Sequence, residues 1–229
     1  MSAIVPPYTT QFLVSAERTI TKERLTRYLK ATGHDLPRAL QLYEHNVALS
    51  EALYGLLHGL EVAIRNVVHH TLAAGYRTPA WYDRAPLTPY WKDQVDDAKR
   101  RAGAGATPGK IIAELTFGFW VELLSKRNKN HLWIGRGLKN AFPNTNLDRS
   151  DIHDRLKTVQ LLRNRIAHHE PVLTSNERLY AGHNFITIPE LLECVEWVCA
   201  ATAHWMKTQF RYAEAVRILT DVKAMSISL

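Results

Sequence analysis

The chain has 229 residues, 46% of them hydrophobic, a length and composition that one globular domain accommodates. Lysine and arginine number 29 against 22 acidic residues, a net charge of +7, which favours an anionic partner, with RNA the first candidate. Two cysteines, Cys194 and Cys199, lie five apart in a helical pattern, which excludes a disulfide framework and suggests packed core thiols.

Residues 1–15, with Pro6 and Pro7, read as an irregular segment ahead of a single helical domain over 16–229. A helix is expected at 17–31, stopped by Gly33. A long helical pattern follows from 36 to about 74. In it Leu53, Leu57, Leu60, Ile64 and Val68 form a wide apolar arc, with Leu56 and Val67 beside it. Glu61 lies at the edge of that arc and needs a partner, either Arg65 one turn on or Arg163 from elsewhere. Residues 75–92, rich in proline and aromatics, read as an irregular excursion before a short helix. A loop at 103–107 ends on Thr107, which can cap a helix with Pro108 at its first position, expected to run to about 124.

The basic run Lys126-Arg127-Asn128-Lys129-Asn130-His131 follows. It is either a solvated loop or, through Lys126, Arg127 and Lys129, a contact to an RNA backbone. Helices are expected at 131–141 and 149–169, then a loop at 170–186 with a short extended piece near 184–188. Thr187-Ile188-Pro189-Glu190 matches a capping box and opens one long terminal helix. The pattern is all-α, without internal repeats. With no basic-then-apolar leader and no segment judged long enough to span a bilayer, a cytoplasmic protein without membrane contact is expected.

The segment at 149–169 carries the chemistry. Asp148 or Ser150 can cap it, and Asp151 and Asp154 suit its first turns. Ile152, Leu156, Val159 and Ile166 fall on one narrow arc, and Arg163 falls near the middle of it. A guanidinium there is costly unless it snorkels to water or meets a carboxylate or anionic ligand. Asn164 and His168 share a flank. Pro171 forces a stop near His169, and the carbonyl end of a helix suits a protonated imidazole. Cationic groups beside an imidazole are what phosphodiester cleavage requires. Arg163 and His168 are five residues apart, so on a regular helix they point roughly 140° away from each other. Three remedies are open: a distorted helix end, the reach of the arginine, or a second copy of the motif.

Arg163-Asn164-Arg165-Ile166-Ala167-His168-His169-Glu170-Pro171 resembles the arginine, four to six residues, histidine signature of HEPN domains, in its Abi-like (abortive infection) form. Leu60-Glu61-Val62-Ala63-Ile64-Arg65-Asn66 resembles that family's earlier Glu-x-x-x-Arg-Asn helix, and residues 115–124 resemble its mid-chain aromatic helix. The resemblance implies a HEPN-like helical bundle, often a homodimer, acting on RNA as a metal-independent endoribonuclease without cofactors. It implies a setting in phage defence or toxin–antitoxin systems, with an antitoxin or a phage-derived activator as regulator. Carried onto this chain, Arg163 and His168 are the catalytic pair, with Asn164 beside them and His169 as a second acid–base group. Glu61, Arg65 and Asn66 support them, and Arg165 contacts RNA.

Some readings compete. Arg65-Asn66-Val67-Val68-His69-His70 also satisfies arginine-x4-histidine. The glycines at 103–109 superficially resemble a phosphate loop, but the segment before them reads as helix and Ile111 replaces the hydroxyl residue. Adjacent histidines at 69–70 and 168–169 diverge on a helix and lack the His-x-x-x-His spacing of a metal site, so no metal is expected. The alternative class is a non-catalytic helical module that binds RNA or a protein partner.

Overall fold

The computed structural model describes residues 8–126 and 132–227. It is mostly helical, as the periodicity predicts, with one small hairpin. The N-terminal segment is more ordered than its prolines suggest. Thr9 accepts a hydrogen bond from the backbone N–H of Phe12 and opens α1 (Thr10–Thr19), so the irregular reading of residues 10–15 is corrected. The helix expected at 17–31 is divided, because Thr21, at φ 74, breaks it and caps α2 (Lys22–Ala31) through the N–H of Arg24.

α3 (Leu36–Tyr76) is 41 residues long, about 60 Å at the rise of an α-helix. Asp35 caps it through the N–H of Arg38, and Arg77, in the left-handed conformation, ends it. Leu42, Leu49, Leu53, Leu56, Leu60, Ile64 and Val68 are all buried. By length and composition α3 is apolar enough to cross a membrane, with mean hydropathy 1.3 over an 18-residue window. The expectation that no segment reaches that length is therefore corrected. Its packing is that of a core helix, with α2 and the later helices at Phe117–Glu122, Gly137–Ala141, Arg149–Ala167, Ile188–Glu196 and Tyr212–Ala224 all lying against it.

After a 3-10 turn at Trp81–Asp83 come α4 (Pro89–Ala102) and α5 (Pro108–Ala113). Thr107 caps α5 as expected. The helix does not continue to residue 124, because Thr116 accepts from the N–H of Phe119 and starts α6 (Phe117–Glu122) afresh. α7 (Gly137–Ala141) occupies the end of the helix expected at 131–141. α8 (Arg149–Ala167) carries the motif and is capped by Asp148 through the N–H of Asp151. Strands β1 (Leu179–Ala181) and β2 (Asn184–Ile186) pair antiparallel, with Tyr180 opposite Phe185.

The capping box at Thr187 and Glu190 forms as predicted. The single terminal helix does not, and three follow: α9 (Ile188–Glu196), α10 (Ala200–Gln209) and α11 (Tyr212–Ala224). Cys199 and Phe210 leave the helical conformation at the two breaks. The second break lets Phe210 turn back with Met206 onto Gly55 and Gly59 of α3, where a Cβ on Gly59 would stand 2.8 Å from Met206 Cε. Cys194 is buried, and its thiol donates to the carbonyl of Glu190. Cys199 is only half-buried, so of the two expected core thiols one is a core residue.

One buried polar contact ties α3 to the chain leaving α8. Asn46, 3% exposed, accepts through Oδ1 from the N–H of Val172 at 2.8 Å, and Val172 is fully buried. Asn46→Ala strands that donor, at a cost of about 1–3 kcal/mol. Urea unfolding should show a lower midpoint with an unchanged slope.

Candidate functional site

α8 stays regular through Ala167, and His168 remains near the helical region at φ −93, ψ 10. His169 then turns left-handed at φ 57. The N–H of His169 donates to the carbonyl of Ile166 at 3.0 Å and that of Glu170 to the carbonyl of Arg165 at 2.8 Å. This is the Schellman arrangement, which usually places glycine where His169 stands. Pro171 prevents any continuation.

Side chains clamp this stop. Arg165 donates from Nε and Nη2 to the carbonyl of Pro171 at 3.1 and 2.9 Å, pairs with Glu170 at 2.8 Å, and lies over the ring of Tyr180. Arg27 of α2 stacks on the same ring, and Arg24 donates to the carbonyl of His169. Arg165 is therefore engaged in holding the turn, away from the cleft that Arg163 enters.

Arg163 takes another direction. Its Nε lies 3.6 Å from Oε2 of Glu61 on α3, with side chains 46% and 25% exposed. Glu61 thus pairs across helices, whereas Arg65, its local alternative, donates from Nε to Oδ1 of Asn66 at 3.2 Å. The apolar arc does not bury Arg163 as its phase suggests. Towards the end of α8 the buried stripe shifts from Ile152, Leu156 and Val159 to Leu162 and Ile166. Arg163 is left at an open edge.

That edge is a small cleft of about 140 Å³, whose polar walls are Tyr54, His58, Glu61 and Arg65 from α3 and Arg163 from α8. A larger cleft of about 730 Å³ adjoins it, sharing Tyr54 and Ile166 and reaching Asn46 and His169. Two guanidiniums, one carboxylate and one imidazole on so small a cleft leave an excess of positive charge, suited to a phosphate. His168 is exposed and lines neither cleft. Asn164 is half-buried, and its backbone carbonyl accepts from the N–H of His168 at 2.9 Å. Lys126 is exposed and also lies outside both clefts. Arg127 and Lys129 lie outside the described residues.

The structure thus joins Arg163, Glu61 and Arg65, with Asn66 behind Arg65, and leaves His168 apart from them. His58 and Tyr54 were not singled out from the sequence. The available signal was the series 54, 58, 61 and 65, which places all four on one face of α3.

The competing motif separates its own members. Arg65 faces the cleft, while His70, nine residues after Glu61, projects from the opposite side of α3. His69 is buried, and its Nδ1 accepts from the indole N–H of Trp81 at 3.1 Å. Among the described residues no three histidine, cysteine, aspartate or glutamate side chains gather as ligands would. The glycine-rich segment at 103–107 follows α4, not a strand. No family model, curated protein or solved structure matches the chain.

His169→Gly relieves the left-handed backbone and should stabilise the fold by about 0.5–1 kcal/mol in thermal or urea unfolding. Burial, with His70 and Arg65 nearby, lowers the pKa of His69 below its ordinary 6.5. The unfolded chain then takes up a proton that the fold refuses. Its contribution to stability is full above about pH 6.5 and falls below it, by at most about 1.4 kcal/mol per pH unit. Urea midpoints measured from pH 7.5 to 5 should show this slope, flattened in His69→Gln.

Proposed function

We propose that this protein is an endoribonuclease of the HEPN type that cleaves RNA by transesterification without a metal ion. The observation that carries this reading is the accessible Arg163 guanidinium, held on a polar cleft beside a second one, Arg65. Anionic phosphoryl oxygens fit between such groups, and charge developing on them in the transition state is stabilised there. The ribose 2′-hydroxyl attacks the adjacent phosphorus and the 5′-oxygen leaves. His168 moves a proton, and Asn164 fixes its backbone. DNA has no 2′-hydroxyl and is not cut.

Because α8 is regular to its end, Arg163 and His168 of one chain diverge, and the working site is composed by two copies in a homodimer. Each copy supplies its arginine cleft to the histidine of the other. The biological setting follows the resemblance alone: phage defence by abortive infection, or a toxin held by an antitoxin.

A specific observation favours a second reading, a non-catalytic module that binds RNA or a protein. Both cleft arginines already have partners, Glu61 and Asn66, as structural arginines do. The two readings separate on total RNA incubated with purified protein in EDTA. The proposal expects cleavage leaving 2′,3′-cyclic phosphate and 5′-hydroxyl ends. Arg163→Ala and His168→Ala should each lower the rate about 10²-fold or more. RNA binding without cleavage by the unaltered protein would favour the module.

A further inference from the structure

Four of the chain's histidines lie on α3, and only one of them shares a wall with Arg163. His45 directs Nδ1 at the carbonyl of Gln41 in its own helix. His69 is closed in the core under Trp81, and His70 projects from the far side. His58 is exposed, lines the small cleft, and makes no side-chain hydrogen bond or ion pair among the described residues. The groups that face it are Tyr54, Glu61 and Arg65 from its own helix and Arg163 from α8.

Transesterification needs two proton transfers, one from the 2′-hydroxyl and one to the 5′-oxygen. One histidine at the end of α8 supplies one of them. His169 is a poor second, because its backbone is fixed in the left-handed stop and it borders the larger cleft, away from the arginine pair. An imidazole in the cleft that would hold the phosphate is already in reach of the reacting oxygens, and imidazole is the side chain that exchanges a proton near neutral pH.

We infer that His58 is the second catalytic histidine, the general base of the ribonuclease proposed above, on which this inference rests. His58 takes the proton of the 2′-hydroxyl as the O2′–P bond forms. The P–O5′ bond breaks as His168 of the second copy gives its proton to O5′. Arg163 and Arg65 hold the non-bridging oxygens throughout. His168 thus enters the reaction protonated and leaves it neutral, and His58 does the reverse.

The test uses the full chain and the variant His58→Gln. This exposed position lets the variant fold, which a melting curve verifies. First, adenosine 3′-monophosphate is titrated against the histidine ring NMR signals, with the His58 signal assigned by its loss in the variant. The inference expects the His58 signal to shift and its titration midpoint to rise beside the phosphate. An unresponsive His58 overturns it, whether or not the protein cleaves RNA.

Second, the variant should cut RNA about 10²–10⁴-fold more slowly at similar KM and lose one limb of the pH–rate profile. On RNA with sulfur in place of the bridging 5′-oxygen, whose leaving group needs no proton, His168→Ala should recover and His58→Gln should not. Recovery of His58→Gln overturns its role as base. Equal cleavage by variant and unaltered protein overturns the inference and leaves the ribonuclease reading standing. No cleavage by the unaltered protein, with a responsive His58, makes the histidine an anion contact only and overturns its proton-transfer role together with that reading.

Discussion

The end of α8 is the constraint on which the account depends. A helix that frayed or unwound over its last turn could bring Arg163 and His168 together. This one is stopped by two backbone hydrogen bonds at His169 and Glu170 and held by the fork of Arg165 on the carbonyl of Pro171. Arg24 and Arg27 of α2 reinforce it from outside. A regular helix stopped so firmly keeps residues five apart roughly 140° from one another. The motif that reads as adjacent in the chain is therefore divided in space, with its arginine on one surface and its histidine on another.

α3 supplies what α8 lacks. Along one face it presents Tyr54, His58, Glu61 and Arg65 to the side chain of Arg163. The Glu61–Arg163 pair is partly exposed and 3.6 Å long, and such pairs contribute about 0–1 kcal/mol. Its value is positional: it directs an arginine across the helix pair without consuming the second guanidinium. The remaining positive charge lies where a phosphate can reach it, next to the imidazole of His58, which has no partner among the described residues. The buried histidine nearby, His69, has the opposite character, since its ring nitrogen is committed to Trp81 and its charged form is disfavoured by burial.

Much of this was legible in the residues, and the misses have physical causes. Long apolar periodicity gave α3 and α8 nearly to the residue, and the capping box at Thr187 opened α9 where expected. Breaks inside helical patterns were missed, because a single threonine at 21 or 116 is as compatible with a helix interior as with a cap. The partner of Glu61 was open between a local and a distant arginine, and only tertiary packing could decide it. The clamp formed by Arg165 was not legible, because the carbonyl and ring that hold it, at Pro171 and Tyr180, belong to chain that reads as loop. The phase of Arg163 in the apolar arc was right, but the arc itself drifts as α8 leaves the core.

The central claim is that the site is composed by two copies, and complementation tests it most directly. Arg163→Ala and His168→Ala proteins, each inactive, are unfolded together, refolded as a mixture and assayed on RNA. In a mixed dimer one composite site lacks both residues and the other is intact. Half of randomly assembled dimers are mixed, so the account predicts return of about a quarter of the unaltered rate. A mixture as inactive as its components, with mixed dimers shown to be present, would contradict it.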